Sequence, residues 1–167
     1  MLKGRAFKFG DNISTDFIVP GRLAPLRSNL PELAKHVLED ADPTFAQRVK
    51  KGDFVVGGKN FGLGSSREHA PLVIKMSGVS AVLAKSVARI FFRNAINIGL
   101  PILICDTESI NDGDELEMDL AAGKIRDLTN GAELSFSGMP EIMLRILNEG
   151  GLVPYIKKHK DFIVNPA

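Results

Sequence analysis

Between Phe54 and Ile104 the chain alternates three short apolar runs with two segments of helix length, and no other feature limits the possible folds so strongly. Phe54-Val55-Val56 leads into a glycine-rich stretch and a predicted helix over Ser66–Ser77 that stops at Gly78. Ala81-Val82-Leu83-Ala84 leads into a second predicted helix over Val87–Asn97 that stops at Gly99, and Ile102-Leu103-Ile104 closes the series. Connections of this length join parallel strands by right-handed crossovers, so the centre is predicted as an α/β layer with its loops at the strands' carboxyl ends.

The flanking segments attach further pieces to this unit. Residues 1–10 alternate polar and apolar and predict a first strand, followed by a polar loop, Gly10-Asp11-Asn12-Ile13-Ser14-Thr15-Asp16, of residue types that bond to their own backbone. Residues 21–29 have no period and contain Pro25, which predicts an exposed loop. A helix is predicted over Pro31–Asp40, with Leu33, Val37 and Leu38 on one face, and a helical turn over Pro43–Val49. Near the end, Asp114–Leu120 and Ala132–Ser137 predict hairpin pieces around the turn signals Ala122-Gly123 and Asn130-Gly131. A helix over Pro140–Asn148 then leads to a strand-like Leu152–Ile156.

Bulk properties narrow the function classes. With 167 residues, 44% hydrophobic, one domain over 1–167 can bury roughly 70% of its unfolded surface without disulfides or a structural metal. The 21 basic and 20 acidic residues are dispersed, which argues against nucleic acid as a main partner, and Lys157-Lys158-His159-Lys160 reads as a solvated end. One cysteine, Cys105, excludes an internal disulfide and any metal or cluster site built from this chain's thiols; it ends an apolar run and is expected to be buried and inert. No signal-peptide pattern is visible, and the longest uncharged stretch, Asn94–Cys105, is too short to span a bilayer. A cytoplasmic protein without membrane contact is the expectation.

The segment with chemical content is Lys59-Asn60-Phe61-Gly62-Leu63-Gly64-Ser65-Ser66-Arg67-Glu68-His69-Ala70. Ser65 and Glu68 have the spacing of a capping box, a purely structural role. The same geometry places unpaired N–H groups over an anion, Gly62 and Gly64 would let backbone approach it, and Arg67 could grip a carboxylate with two parallel bonds. Small carboxylates or phosphates are the implied ligands, although neither a phosphate-loop nor a dinucleotide fingerprint is present. Arg89 and Arg93, one helical turn apart, read either as anion-facing or as a solvated, ion-paired face, and Asp16 either orients the site loop or caps a turn.

This motif, with Asp11–Asp16, Asp42-Pro43 near Phe45, and Ala88-Arg89-Ile90-Phe91-Phe92-Arg93-Asn94-Ala95-Ile96-Asn97-Ile98-Gly99-Leu100-Pro101, resembles the aconitase superfamily. It resembles the swivelling fourth domain of aconitases and, more closely, the separate small subunits of isopropylmalate dehydratase and homoaconitase, and the resemblance covers essentially the whole chain. It implies a three-layer β/β/α swivelling domain and a two-chain hydro-lyase that reversibly dehydrates and rehydrates a hydroxy dicarboxylic acid. It also implies a large subunit carrying a [4Fe-4S] cluster, with no cofactor on this chain. Carried over by motif, Ser65 is the base that takes a carbon-bound proton, and Ser66 and Arg67 bind substrate carboxylate. Asp16, Gly62, Gly64 and Glu68 support them.

In these relatives the 21–29 region contacts the substituent that distinguishes substrates, which adds Arg22, Leu23 and Arg27 to the substrate-binding set. Here the chain departs from the pattern, with Leu23-Ala24 where relatives show Tyr-Leu after the arginine, and with Leu63 where many place a cysteine. The apolar residues suit the branch of 3-isopropylmalate, a leucine-biosynthesis intermediate, or of dimethylmalate, whereas Arg22 or Arg27 would suit the third carboxylate of homoaconitate. A non-catalytic anion-binding module is the reading from another class; an RNA-binding regulator is disfavoured by the neutral charge balance. A serine hydroxyl ionises roughly six units above neutrality, at a cost on the order of 8 kcal/mol. A helix terminus returns at most about 2 kcal/mol, so other donors and a site closed by a partner are required.

Overall fold

The computed structural model describes residues 1–160. Strand β1 (Leu2–Lys8) pairs in parallel with β2 (Phe54–Val56), which continues to β3 (Ala81–Ala84) and β4 (Ile102–Ile104). On its other edge β1 pairs antiparallel with β5 (Glu115–Asp119), then β6 (Lys124–Asp127) and β7 (Glu133–Ser135), giving the order β4-β3-β2-β1-β5-β6-β7.

Alternation along each parallel strand divides the interior into two layers, as the period of two in a strand requires. Phe7, Val55, Val82, Ala84 and Ile102 face one core, shared with Ile18, Leu33, Phe45, Val73, Ile74 and Phe91 from the helical side. Their neighbours Ala6, Phe54, Val56, Ala81, Leu83 and Leu103 face a second core with Leu116, Met118, Ile125 and Phe136 from the antiparallel half. The sheet therefore curls so that its antiparallel half covers one face of its parallel half while helices cover the other. This is the expected β/β/α layering.

The helices on the covered face are α1 (Thr15–Ile18), α2 (Leu30–Ala34), α3 (Phe45–Arg48), α4 (His69–Met76) and α5 (Arg89–Asn97). Two more, α6 (Glu141–Asn148) and α7 (Leu152–His159), pack on α5 through Ile96, Ile146 and Tyr155. No helix among the described residues is long and apolar enough to cross a membrane.

Five local expectations are corrected. Residues 152–156 form the start of helix α7, not a strand; Leu152, Tyr155 and His159 fall on one helical face, and Pro154 sits in the first turn, where its missing N–H costs no bond. The helix expected over 31–40 ends at Ala34, because Leu38 adopts φ 56° and gives its N–H to the Ile18 carbonyl at 3.1 Å. The helix expected from Ser66 begins at His69, and residues 21–28 wind as a 3-10 helix rather than an irregular loop. Between the two hairpin pieces lies a third strand, β6, whose residues alternate exposed and buried.

Candidate active site

Two loops at the carboxyl ends of β1 and β2 are stitched together by their backbones. The Asn12 N–H donates to the Lys59 carbonyl at 2.8 Å, the Gly62 N–H to Ile13 at 2.7 Å, and the Thr15 N–H to Leu63 at 2.8 Å. Asn12 and Asn60 both have φ 58°, and the Asn60 side-chain amide donates to Asn12 Oδ1 at 3.0 Å. Gly62 is required on two counts: it has φ 76°, and a Cβ there would lie 2.2 Å from Cγ of the buried Phe91 ring on α5.

This stitching delivers Ser65, Ser66 and Arg67 to an outward-facing turn between α1 and α5. Ser65 and Ser66 are exposed and Arg67 is half-buried. The capping box is not formed: Glu68 is the residue preceding α4 and makes no side-chain cap bond, while the Ser65 N–H donates instead to Thr15 Oγ1 at 3.1 Å. The two hydroxyls of Thr15 and Ser65 lie 3.2 Å apart. Gly64, with φ 115°, passes so close that a Cβ would lie 3.0 Å from Thr15 Oγ1. Ser66 is tied to α5 through its carbonyl, which accepts from Asn94 Nδ2 at 3.4 Å.

Arg67 is anchored by one nitrogen. Its Nη1 donates to the Val19 carbonyl at 3.0 Å and lies 3.4 Å from Asp16 Oδ1, which also accepts the Gly21 N–H at 3.0 Å. Its Nη2 has no protein partner among the described residues and remains available for an acceptor in a carboxylate. Asp16 thus joins the arginine to the start of the 21–28 segment.

The residues of that segment are arranged less uniformly than their spacing implied. Arg22 is clamped by Asp40 (2.6 and 2.8 Å) and Glu39 (2.8 Å), and its hydrogen bonds to Asp40 hold the guanidinium above its ordinary pKa. Glu39 also meets His36 Nδ1 at 2.7 Å, which supplies that histidine with a partner. Leu23 and Leu26 are half-buried against the main core, so Ala24 and Pro25 form the exposed side. Arg27 turns its Nε inward, where it is buried without a hydrogen-bond partner among the described residues. Arg89 and Arg93 are exposed on α5, and neither makes an ion pair among the described residues.

Thr15 is the member of this constellation that sequence reasoning missed. It is 2% exposed and lies 50 positions from Ser65, in a segment from which Asp16, not Thr15, was singled out. Cys105 is buried as expected, and burial pushes its thiol up to about 11.

A two-layered sheet with helices on one face, carrying a Gly-Ser-Ser-Arg turn at its carboxyl edge, defines an aconitase-type domain, and the aconitase C-terminal domain family matches residues 28–106. The chain is 66% identical over 160 residues to a 3-isopropylmalate dehydratase small subunit of Archaeoglobus fulgidus, covering 96% of this chain and 97% of that one. It is 60% identical over 163 residues to a counterpart in Thermotoga maritima (97% and 98% covered). It is also 53% identical over 160 residues to an isopropylmalate/citramalate isomerase small subunit of Methanocaldococcus jannaschii (95% and 95% covered). A crystal structure of a 3-isopropylmalate dehydratase chain from the same organism superposes with a TM-score of 0.90 at 47% identity, covering 95% of each chain. The chain belongs to the family of 3-isopropylmalate dehydratase small subunits.

Proposed function

We propose that this chain is the small subunit of a cytoplasmic, two-chain hydro-lyase that isomerises a malate bearing a short apolar branch, 3-isopropylmalate foremost. Near full-length identity to the dehydratase small subunits supports the reaction class. The observation that carries the site assignment is an exposed Ser65 hydroxyl beside an Arg67 whose Nη2 has no partner within the described chain. Ser65, as its alkoxide, takes the proton from the carbon adjacent to the hydroxyl-bearing one, the carbon–carbon double bond forms, and the hydroxyl leaves as water with a proton from an acid on the large subunit; rehydration at the neighbouring carbon reverses these steps. Arg67 and Ser66 hold a substrate carboxylate and fix which carbon faces Ser65.

Iron–sulfur clusters are held by several cysteine thiolates, and this chain has one, which is buried. The [4Fe-4S] cluster that the family resemblance implies would be held by the large subunit and would supply Lewis-acid polarisation of the leaving hydroxyl. The methyl-branched substrate in the name of the M. jannaschii relative fits the same apolar-branch class. Homoaconitate is disfavoured at Arg22, where a third carboxylate would have to compete with Asp40 and Glu39.

Reconstitution with the large subunit, assayed on 3-isopropylmalate, citramalate, dimethylmalate, homoaconitate and citrate, tests the reading. Ser65→Ala is expected to lower kcat on the order of 10³-fold with an unchanged circular dichroism spectrum. A Ser65→Ala enzyme at wild-type rate would remove the base assignment, and a preference for homoaconitate would remove the substrate assignment.

A further inference from the structure

We infer that Thr15 is a positioning residue whose buried hydroxyl serves as the oxyanion donor for Ser65. The inference rests on the assignment of Ser65 as base and names a group that makes that assignment physically workable.

A serine hydroxyl gives up its proton at neutral pH only if something stabilises the oxygen it leaves behind. The helix expected to do so begins four residues too late: α4 starts at His69, and Ser65 lies in an extended turn ahead of it. What lies within hydrogen-bond reach of Ser65 Oγ is Thr15 Oγ1, at 3.2 Å. While Ser65 holds its proton, either oxygen can donate. Once Ser65 is ionised it has no proton to give, so Thr15 must be the donor.

The surroundings of Thr15 strengthen that donor. Its oxygen accepts the Ser65 N–H at 3.1 Å, and a hydroxyl that accepts one bond is polarised to donate another more strongly. Thr15 is 2% exposed, so little water competes for its proton. Its backbone is fixed at both ends of α1's first turn, the N–H donating to the Leu63 carbonyl at 2.8 Å and the carbonyl accepting from Val19 at 2.9 Å. Gly64 leaves no Cβ between the two loops. The serine and its donor thus form one rigid unit, held by two bonds across 50 positions of sequence.

Thr15→Val keeps the shape and removes the hydroxyl; Thr15→Ser keeps the hydroxyl. In the reconstituted enzyme, Thr15→Val is expected to lower kcat on the order of 10²-fold. KM should stay within about twofold, since the substrate carboxylate is held by other groups. The rising limb of the rate profile should move to higher pH, because the Ser65 alkoxide is then harder to form. Thr15→Ser should restore most of the rate and the original pH profile. Thr15→Ala, which removes the hydroxyl and leaves space, replaces valine if the latter unsettles folding.

A hydroxyl-free variant at wild-type kcat, or one whose loss is equally severe in Thr15→Ser, overturns the inference. If Ser65→Ala is inactive while Thr15→Val is fully active, only the donor role falls. If Ser65→Ala is itself active, the base assignment falls first.

Discussion

Gly62 and Arg67 show how narrow the tolerances of this site are. An alanine at 62 would force a left-handed backbone on a residue with a Cβ and drive that Cβ into the Phe91 ring. Together these cost at least about 2 kcal/mol. For a chain of this size that lowers the melting temperature by roughly 5 °C or more, readable by calorimetry. Arg67→Lys keeps the charge but loses the planar fork that bonds Val19 with one nitrogen and leaves the other for a carboxylate. KM in the reconstituted enzyme is expected to rise about tenfold or more, from the loss of one charge-assisted bond. The Ser65-Ser66-Arg67 turn was legible in the sequence as a contiguous motif after permissive glycines, and the roles proposed for it came from the family resemblance. Thr15 was not, because a buried hydroxyl acquires its meaning only from a partner that folding brings to it.

Among the elements, Asp127 at the end of β6 has a titration of its own. Asp127 is fully buried; its Oδ1 accepts N–H groups from Thr129 at 2.9 Å and Asn130 at 3.2 Å, while its Oδ2 has no partner among the described residues. Burial, reinforced by the nearby Asp114 carboxyl, raises the Asp127 pKa above the ordinary aspartate value. The unfolded chain releases this proton at the ordinary pKa and the folded chain at a higher one, so the contribution is fully present below the unfolded value. It is lost as pH rises through the folded value. Asp127→Asn, which keeps Oδ1 and gives Asp114 a permanent donor, is expected to flatten that fall; melting temperatures measured from pH 4 to 8 check it. Strands β2 and β3 were readable as continuous apolar runs bounded by turn residues, the mark of strands buried on both faces, and the edge strand β4 as a similar run whose last residue, Ile104, is exposed. The apolar run at 152–156 was misread because so short a run suits either period. The early end of α2 left no breaker in the sequence, since a long-range bond from Leu38 to Ile18 produces it.

At the scale of the molecule, the reactive turn is supported from beneath and open above. Backbone bonds between the 10–16 and 57–64 loops hold it from below, and Ser65 and Ser66 meet solvent on the outer side. The purified chain is therefore expected to unfold cooperatively yet show no turnover, with activity appearing only on titration with its large subunit. Turnover by the chain alone would contradict this. The layered architecture was legible from the strand–helix rhythm and the resemblance together, whereas the curl of the sheet depended on side chains, such as Leu116 and Phe136, meeting Phe54 and Leu83 from far away in sequence. The central position of β1 has a consequence for biosynthesis. Leu2 faces Met118 across the β1–β5 ladder, so one edge of β1 stays unpaired until the ribosome has made the chain past that point. Nascent chains stalled earlier present a raw strand edge, which makes them clients for chaperones and prone to aggregate.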